Sequence, residues 1–138
     1  MYMFRYFNPN PLHDGNKKGW KHVDCTVRSI CAATGLTWVE AYKKLCDAGL
    51  KRYVMPHDMI AYNEVLKSLG FSRVKSCGKK ENIHVKDLAK KSKKERKIYL
   101  IKVNNHVVCL KGGDIYDTWD SSECIIQQYW EKEDKAEK

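Results

Sequence analysis

The stretch KIYLIKVNNHVVCLKGGDIYDTW, residues 97–119, restricts the possible folds more than any other part of the chain. Three β-rich runs, KIYLIKV, HVVCL and DIYDTW, are joined by the two-residue linkers Asn104-Asn105 and Gly112-Gly113. Asn and Gly tolerate the positive φ of type I′ turns, so both linkers read as tight hairpins and the segment as an antiparallel meander. A Gly112-Gly113 turn also sets a register. Lys111 then faces Asp114, Leu110 faces Ile115, Cys109 faces Tyr116 and Val108 faces Asp117. Side chains alternate along a strand, so His106 shares a face with Val108. Asp117 then lies one diagonal step from His106, within about 8 Å at Cα. Asp114 is too far along the strand, and Asp120 falls on the opposite face. A slip of one residue would reverse the selection.

The preceding half reads as helical. Tyr2–Phe7 reads as a short strand ended by Asn-Pro-Asn-Pro, and residues 8–22 as an irregular loop. A helix opens at Cys25 behind Asp24 as N-cap, with Val27, Ile30, Cys31 and Thr34 on one stripe, and stops at Gly35. Thr37 and Glu40 form the capping box of a second helix. Its apolar face reads as Val39, Tyr42, Leu45 and Cys46, and Gly49 reads as its end. A third helix spans Asp58–Leu69, with Ile60, Val65, Leu66 and Leu69 inward. FSRVKS reads as an edge strand, VKDLAKKS as a short helix and ECIIQQYW as the last strand. Helices followed by an antiparallel sheet make an α+β fold. A single domain is expected over residues 1–130, followed by a frayed charged tail at 131–138. The chain of 138 residues is long enough to bury a core without staples.

The net charge of +9 raises nucleic acid as a partner. Much of the excess lies in Lys86–Lys97, which has no aromatic interleaving and reads as a solvated, mobile basic face. Nucleic-acid association is therefore the less favoured reading. The six cysteines, at 25, 31, 46, 77, 109 and 124, include no CxxC pair, so neither a metal site nor a cofactor is expected. No secretory pattern opens the chain, and no apolar run approaches the roughly 18 residues of a membrane span. These features fit a reducing cytoplasm and mostly buried free thiols, with Cys31 in the core. Oligomeric state leaves no readable mark.

A single cysteine at a helix start is most simply a packed thiol. Cys25 differs in having potential partners. The helix dipole favours its thiolate, although the charge of Asp24 opposes that. His106 could accept its proton and Asp117 could orient His106, giving a nucleophile, a base and an orienting acid. Arg28, one turn later, either salt-bridges Asp24 at i, i+4 or serves the site by neutralising Asp24 or binding a substrate carboxylate. Trp119 reads as a cover over His106. His13 and His22 lie in the loop before Cys25, with His22 a competing base, and His57 reads as a helix-start residue.

A cysteine opening a helix, followed by His and Asp on antiparallel strands, resembles the papain-like cysteine peptidases. Asp117-Thr118-Trp119 is similar to the Asn-Ser-Trp of papain-type enzymes. Asp24-Cys25 and HVVCL…IYD resemble the compact bacteriocin-processing, double-glycine type, in which Asp is the third member. YFNPNP, DCTVRSICAATGLTWVEAYKKL, MPHDMIAYNEVLKSLGF and HVVCLKGGDIYDTWDSSE together resemble a group of small proteins from phages and prophages of Gram-positive bacteria. The resemblance implies a papain-like core in which Cys25, His106 and Asp117 cleave an amide or isopeptide bond of a host or phage protein through an acyl-enzyme. A binding protein with a vestigial site is the alternative. One position departs from the pattern. Gly19 stands where papain-type enzymes carry the glutamine that donates to the oxyanion. The Cys25 backbone N–H remains as a donor. Side-chain help would come from Asn8, Asn10, Asn16 or His22, with Arg28 and Trp119 as further substrate-binding candidates.

Overall fold

The computed structural model describes residues 2–13, 24–74 and 82–134. Among these are four helices: α1 (Cys25–Thr34), α2 (Trp38–Arg52), α3 (Met59–Ser68) and α4 (Val85–Glu95). Six strands, β1 (Phe4–Tyr6), β2 (Ser72–Val74), β3 (Lys97–Val103), β4 (His106–Lys111), β5 (Asp114–Asp117) and β6 (Gln128–Glu133), form one sheet in the order β1-β5-β4-β3-β6-β2. The fold is α+β. Its sheet is mixed, because β1 runs parallel to β5 while the other neighbours are antiparallel.

The meander β3-β4-β5 forms with the expected register: Lys111 pairs with Asp114, Leu110 with Ile115 and Cys109 with Tyr116. Gly112 and Gly113 have φ of 62° and 86°, the two positive values a type I′ turn requires. At the other hairpin Val103 pairs with His106, but only Asn105 has a positive φ, 56°. The Asn104-Asn105 linker is therefore not type I′.

Strand alternation sends the sheet's side chains into two cores. Ile98, Leu100, Val107, Cys109 and Trp130 meet α1, α2 and α3 on one face. Tyr99, Ile101, Val108, Leu110 and Ile115 meet Val85, Leu88 and Ala89 of α4 on the other. The sheet is thus the middle of three layers. Helix α1 is buried from Thr26 to Ala33, and Gly35 ends it in the left-handed region at φ 81°. Ser29 donates a 2.8 Å hydrogen bond to the Val107 carbonyl, which pins α1 to β4 one residue from His106.

Several expectations are corrected. Thr37 and Glu40 do close a capping box, but α2 runs past Gly49 to Arg52 and buries Ala41, Leu45, Ala48 and Gly49. Val39 and Tyr42 are exposed, and so is Ile60 of α3, where Ala61, Tyr62, Val65 and Leu66 face inward. Gly49 serves the close approach of the following loop: a Cβ there would lie 2.6 Å from the Val54 carbonyl oxygen. The short helix expected at VKDLAKKS forms and extends to Glu95, so the basic run is the solvated face of a helix anchored by Val85, Leu88, Ala89 and Ser92 rather than a mobile segment. The last strand, expected over residues 123–130, begins at Gln128 and continues to Glu133, so the chain stays in the sheet beyond residue 130. No helix among the described residues is long and apolar enough to cross a membrane.

Candidate active site

The N-terminus of α1, the start of β4 and the end of β5 meet at one end of the sheet. They enclose a small cavity of about 180 Å³ lined by Cys25, Arg28, His106, Asp117, Thr118 and Trp119, with Asp24 at its border. His106 is the first residue of β4 and Asp117 the last of β5. His106 Nε2 donates to Asp117 Oδ2 at 2.6 Å. An ionised carboxylate only accepts, so the proton of a neutral ring stays on Nε2 and Nδ1 is left for the Cys25 thiol. The thiol shares the cavity with this ring and is near enough to raise its pKa.

Burial by itself disfavours a charged His106. The hydrogen bond to Asp117, the hydrogen bond to Cys25 and the charges of both groups outweigh it, and the imidazolium persists to about pH 9 against an ordinary value of 6.5. The site therefore stores a proton on His106 at neutral pH. The ring of Trp119 covers it, with centroids 4.8 Å apart, while Trp119 itself is 46% exposed.

Asp117 is buried and held by more than His106. Its Oδ1 accepts from the Thr118 backbone N–H at 2.7 Å, and its Oδ2 also accepts from Ser121 Oγ at 3.0 Å. Ser121 is fully buried and was not anticipated. A hydroxyl four residues beyond the acid, where the chain turns out of β5, was the signal available for it.

Asp24 occupies the N-cap position of α1, but its side chain makes no capping hydrogen bond. Its Oδ2 accepts from Asn10 Nδ2 and Trp38 Nε1, both at 3.0 Å. Its Oδ1 lies 2.8 Å from Arg28 Nε. Burial would raise its pKa, yet the Asn10 and Trp38 hydrogen bonds and the Arg28 charge hold it below the ordinary carboxylate value. Because the carboxylate points away, Asp24 leaves the first N–H groups of α1 uncapped.

Asn8 and Asn10 do not line the cavity. Asn8 Nδ2 donates to the His13 carbonyl and Asn10 Nδ2 to Asp24. Asn16, Gly19 and His22 lie outside the described residues. Among the described substrate-binding candidates, Arg28 and Trp119 reach the cavity. Beyond Asp24 a wider, apolar groove of about 540 Å³ is lined by Leu12, Trp38, Val39, Tyr42, Leu45 and Met55. The rings of Trp38 and Tyr42 stack there at 5.0 Å. The groove accounts for Val39 and Tyr42 being outside the core.

The other described cysteines, Cys31, Cys46, Cys109 and Cys124, are also free, and Cys31 and Cys109 are buried. Burial pushes the Cys31 thiol up to about 11 and the Cys109 thiol up to about 12. Cys25 differs by its neighbours: it is the described cysteine with an imidazole in its cavity. Compared with known proteins, the chain matches no family model, no curated protein and no solved structure.

Proposed function

We propose that the chain is a thiol-dependent acyl hydrolase of the papain-like kind, with Cys25 as nucleophile, His106 as base and acid, and Asp117 as orienting acid. The observation that carries this reading is the gathering of Cys25, the His106 ring and the buried Asp117 carboxylate in one cavity, with His106 hydrogen-bonded to Asp117. The nucleophilic helix laid against an antiparallel meander supports it, as does the resemblance of the residues around Cys25, His106 and Asp117.

In this mechanism the Cys25 proton resides on His106 Nδ1, and the sulfur attacks an amide or ester carbonyl. The oxyanion receives the Cys25 backbone N–H at the uncapped start of α1. His106 then passes its proton to the leaving amine or alkoxide, which departs as the thioester forms. Water, deprotonated by His106, releases the acid and restores the thiol. Asp117 keeps the Nε2 proton and the ring orientation throughout. The resemblance supplies the substrate class, a peptide or protein of phage or host origin.

A second reading rests on α4. Lys90, Lys93 and Lys94 are exposed there, and the apolar side of the helix is buried against the sheet. That face would bind a polyanion, and binding that does not weaken with added salt rules it out.

The enzyme reading is tested with p-nitrophenyl acetate. It predicts a burst of one equivalent of p-nitrophenolate and an acetyl group on Cys25, detected by mass spectrometry, and loss of both in Cys25→Ala and His106→Ala. Absence of the burst, or its survival in Cys25→Ala, refutes the reading.

A further inference from the structure

The apolar groove plays no part in the mechanism above, yet it begins beside the nucleophile. Asp24 lines both the catalytic cavity and the groove, and Thr26 and Val27, the two residues after Cys25, line the groove. The cavity, at about 180 Å³, is smaller than ordinary ligand pockets of about 300–1,000 Å³, and the groove, at about 540 Å³, falls among them. A long acyl group on Cys25 therefore outgrows the cavity, and the adjoining apolar space is the groove. Its walls are open to a ligand: Leu12, Val39, Tyr42 and Met55 are all exposed large apolar side chains. Gathered in one groove, they make the kind of apolar patch that marks a binding site. The stacked rings of Trp38 and Tyr42 give it a flat side, and the hydrogen bond from Trp38 Nε1 to Asp24 holds that side against the catalytic helix. The polar side chains at the Asp24 end are engaged with one another. Asp24 Oδ2 accepts from Asn10 and Trp38, and Asn10 Oδ1 accepts from the backbone N–H groups of Leu12 and His13. A peptide backbone brings an N–H and a C=O per residue that need partners, whereas a hydrocarbon chain needs none.

We propose that the groove holds the hydrocarbon chain of the acyl group delivered to Cys25. This inference rests on the thiol reading above and narrows it. The bond attacked joins a medium-length fatty acyl chain to an amine, hydroxyl or thiol of the protein substrate. The Cys25 sulfur takes the acyl group as a thioester while the leaving group departs with the proton from His106. Water then releases the fatty acid and restores the thiol.

A chain-length series tests this on the intact protein. The p-nitrophenyl esters of acetate, butyrate, hexanoate and octanoate share one leaving group, and glutathione in a parallel reaction gives the intrinsic reactivity of each. Relative to glutathione, acylation of Cys25 should quicken by about fourfold for each methylene that enters the groove, and octanoate should exceed butyrate by at least about tenfold. Val39 is 66% exposed, so Val39→Glu puts a charge on the groove wall without touching the core. That variant should lose the preference for octanoate over butyrate, and Val39→Leu should keep it. On the unmodified chain, octanamide should slow iodoacetamide labelling of Cys25 and acetamide should not, which keeps the test open if a variant misfolds. Equal effects of the two amides, or a preference that survives Val39→Glu, overturn the assignment. So does N-acetylphenylalanine p-nitrophenyl ester outpacing octanoate after the same correction, which puts a peptide in the groove. A specific rate that falls as protein concentration rises puts a second copy there and overturns it too. No burst with any ester, acetate included, overturns the thiol reading and this inference with it. A burst with acetate but no gain with chain length overturns the hydrocarbon assignment alone.

Discussion

Asp117→Asn keeps the shape of the side chain and removes the charge that holds the proton on His106. The 2.6 Å contact with Nε2 remains geometrically possible, but an amide does not attract an imidazolium as a carboxylate does. Burial, which lowers the His106 pKa, is unchanged. The rise from 6.5 to about 9 corresponds to about 3 kcal/mol, at about 1.4 kcal/mol per pH unit. Asp117 and Cys25 together supply that net rise and also offset the lowering by burial. An opposite charge in direct contact supplies about 1–3 pH units. The midpoint of His106 in Asp117→Asn is therefore expected at least about one pH unit below the wild-type value. A ¹³C-edited NMR titration of the histidine rings from pH 5 to 10, with His106→Ala for assignment, measures this directly. The stability consequence follows from linkage. The folded-state pKa lies above the unfolded value, so the stabilisation is fully present below about pH 6.5 and is lost as pH rises through about 9. Urea unfolding at pH 6, 7.5 and 9.5 should show that loss in the wild type and a flatter profile in Asp117→Asn. A variant midpoint still near 9, or a wild-type midpoint near 6.5, refutes the electrostatic account of the site.

Gly49→Ala reverses the usual sign of a helical glycine replacement. Alanine favours the helix by about 1 kcal/mol, but its Cβ would lie 2.6 Å from the Val54 carbonyl, and overpacking costs about 1–3 kcal/mol. A net loss of about 1 kcal/mol is expected in urea unfolding, and a gain contradicts the contact. Ser121→Ala should lower stability by about 1 kcal/mol by removing one of the hydrogen bonds to buried Asp117; an unchanged midpoint of unfolding denies Ser121 that role. Ser29→Ala should cost about 1 kcal/mol by freeing the Val107 carbonyl inside the core, and it should slow p-nitrophenolate release, because α1 is no longer pinned beside His106. Unaltered release means that the hydrogen bond does not position the nucleophile.

The site was legible where chain geometry is strict. Two positive-φ glycines fix a two-residue turn, and a two-residue turn fixes which acid stands near His106. Alternation along β4 and β5 did the rest. The helices were less legible. In α2, Val39 and Tyr42 lie at helical spacing with Leu45, yet small Ala41 and Ala48 face the core and the large residues face the groove. An apolar stripe does not say which of two apolar sides is buried. The helix read at VKDLAKKS forms, but its extension to Glu95 was hidden because the four inward residues of α4, Val85, Leu88, Ala89 and Ser92, are outnumbered by lysines. Asp24 has the residue type and place of an N-cap, but Asn10 and Trp38, each fourteen positions away in sequence, draw its carboxylate aside. Partners of that kind leave no local pattern to read.

The central claim is that His106 makes Cys25 reactive, and the rate of Cys25 alkylation measures it most directly. Peptide-resolved mass spectrometry of iodoacetamide labelling at pH 7 follows each thiol separately. The account predicts that Cys25 reacts at least about tenfold faster than the half-buried Cys46 and Cys124, and that His106→Ala removes the advantage. Labelling of Cys25 at the pace of Cys46 and Cys124, or at an unchanged rate without His106, contradicts it.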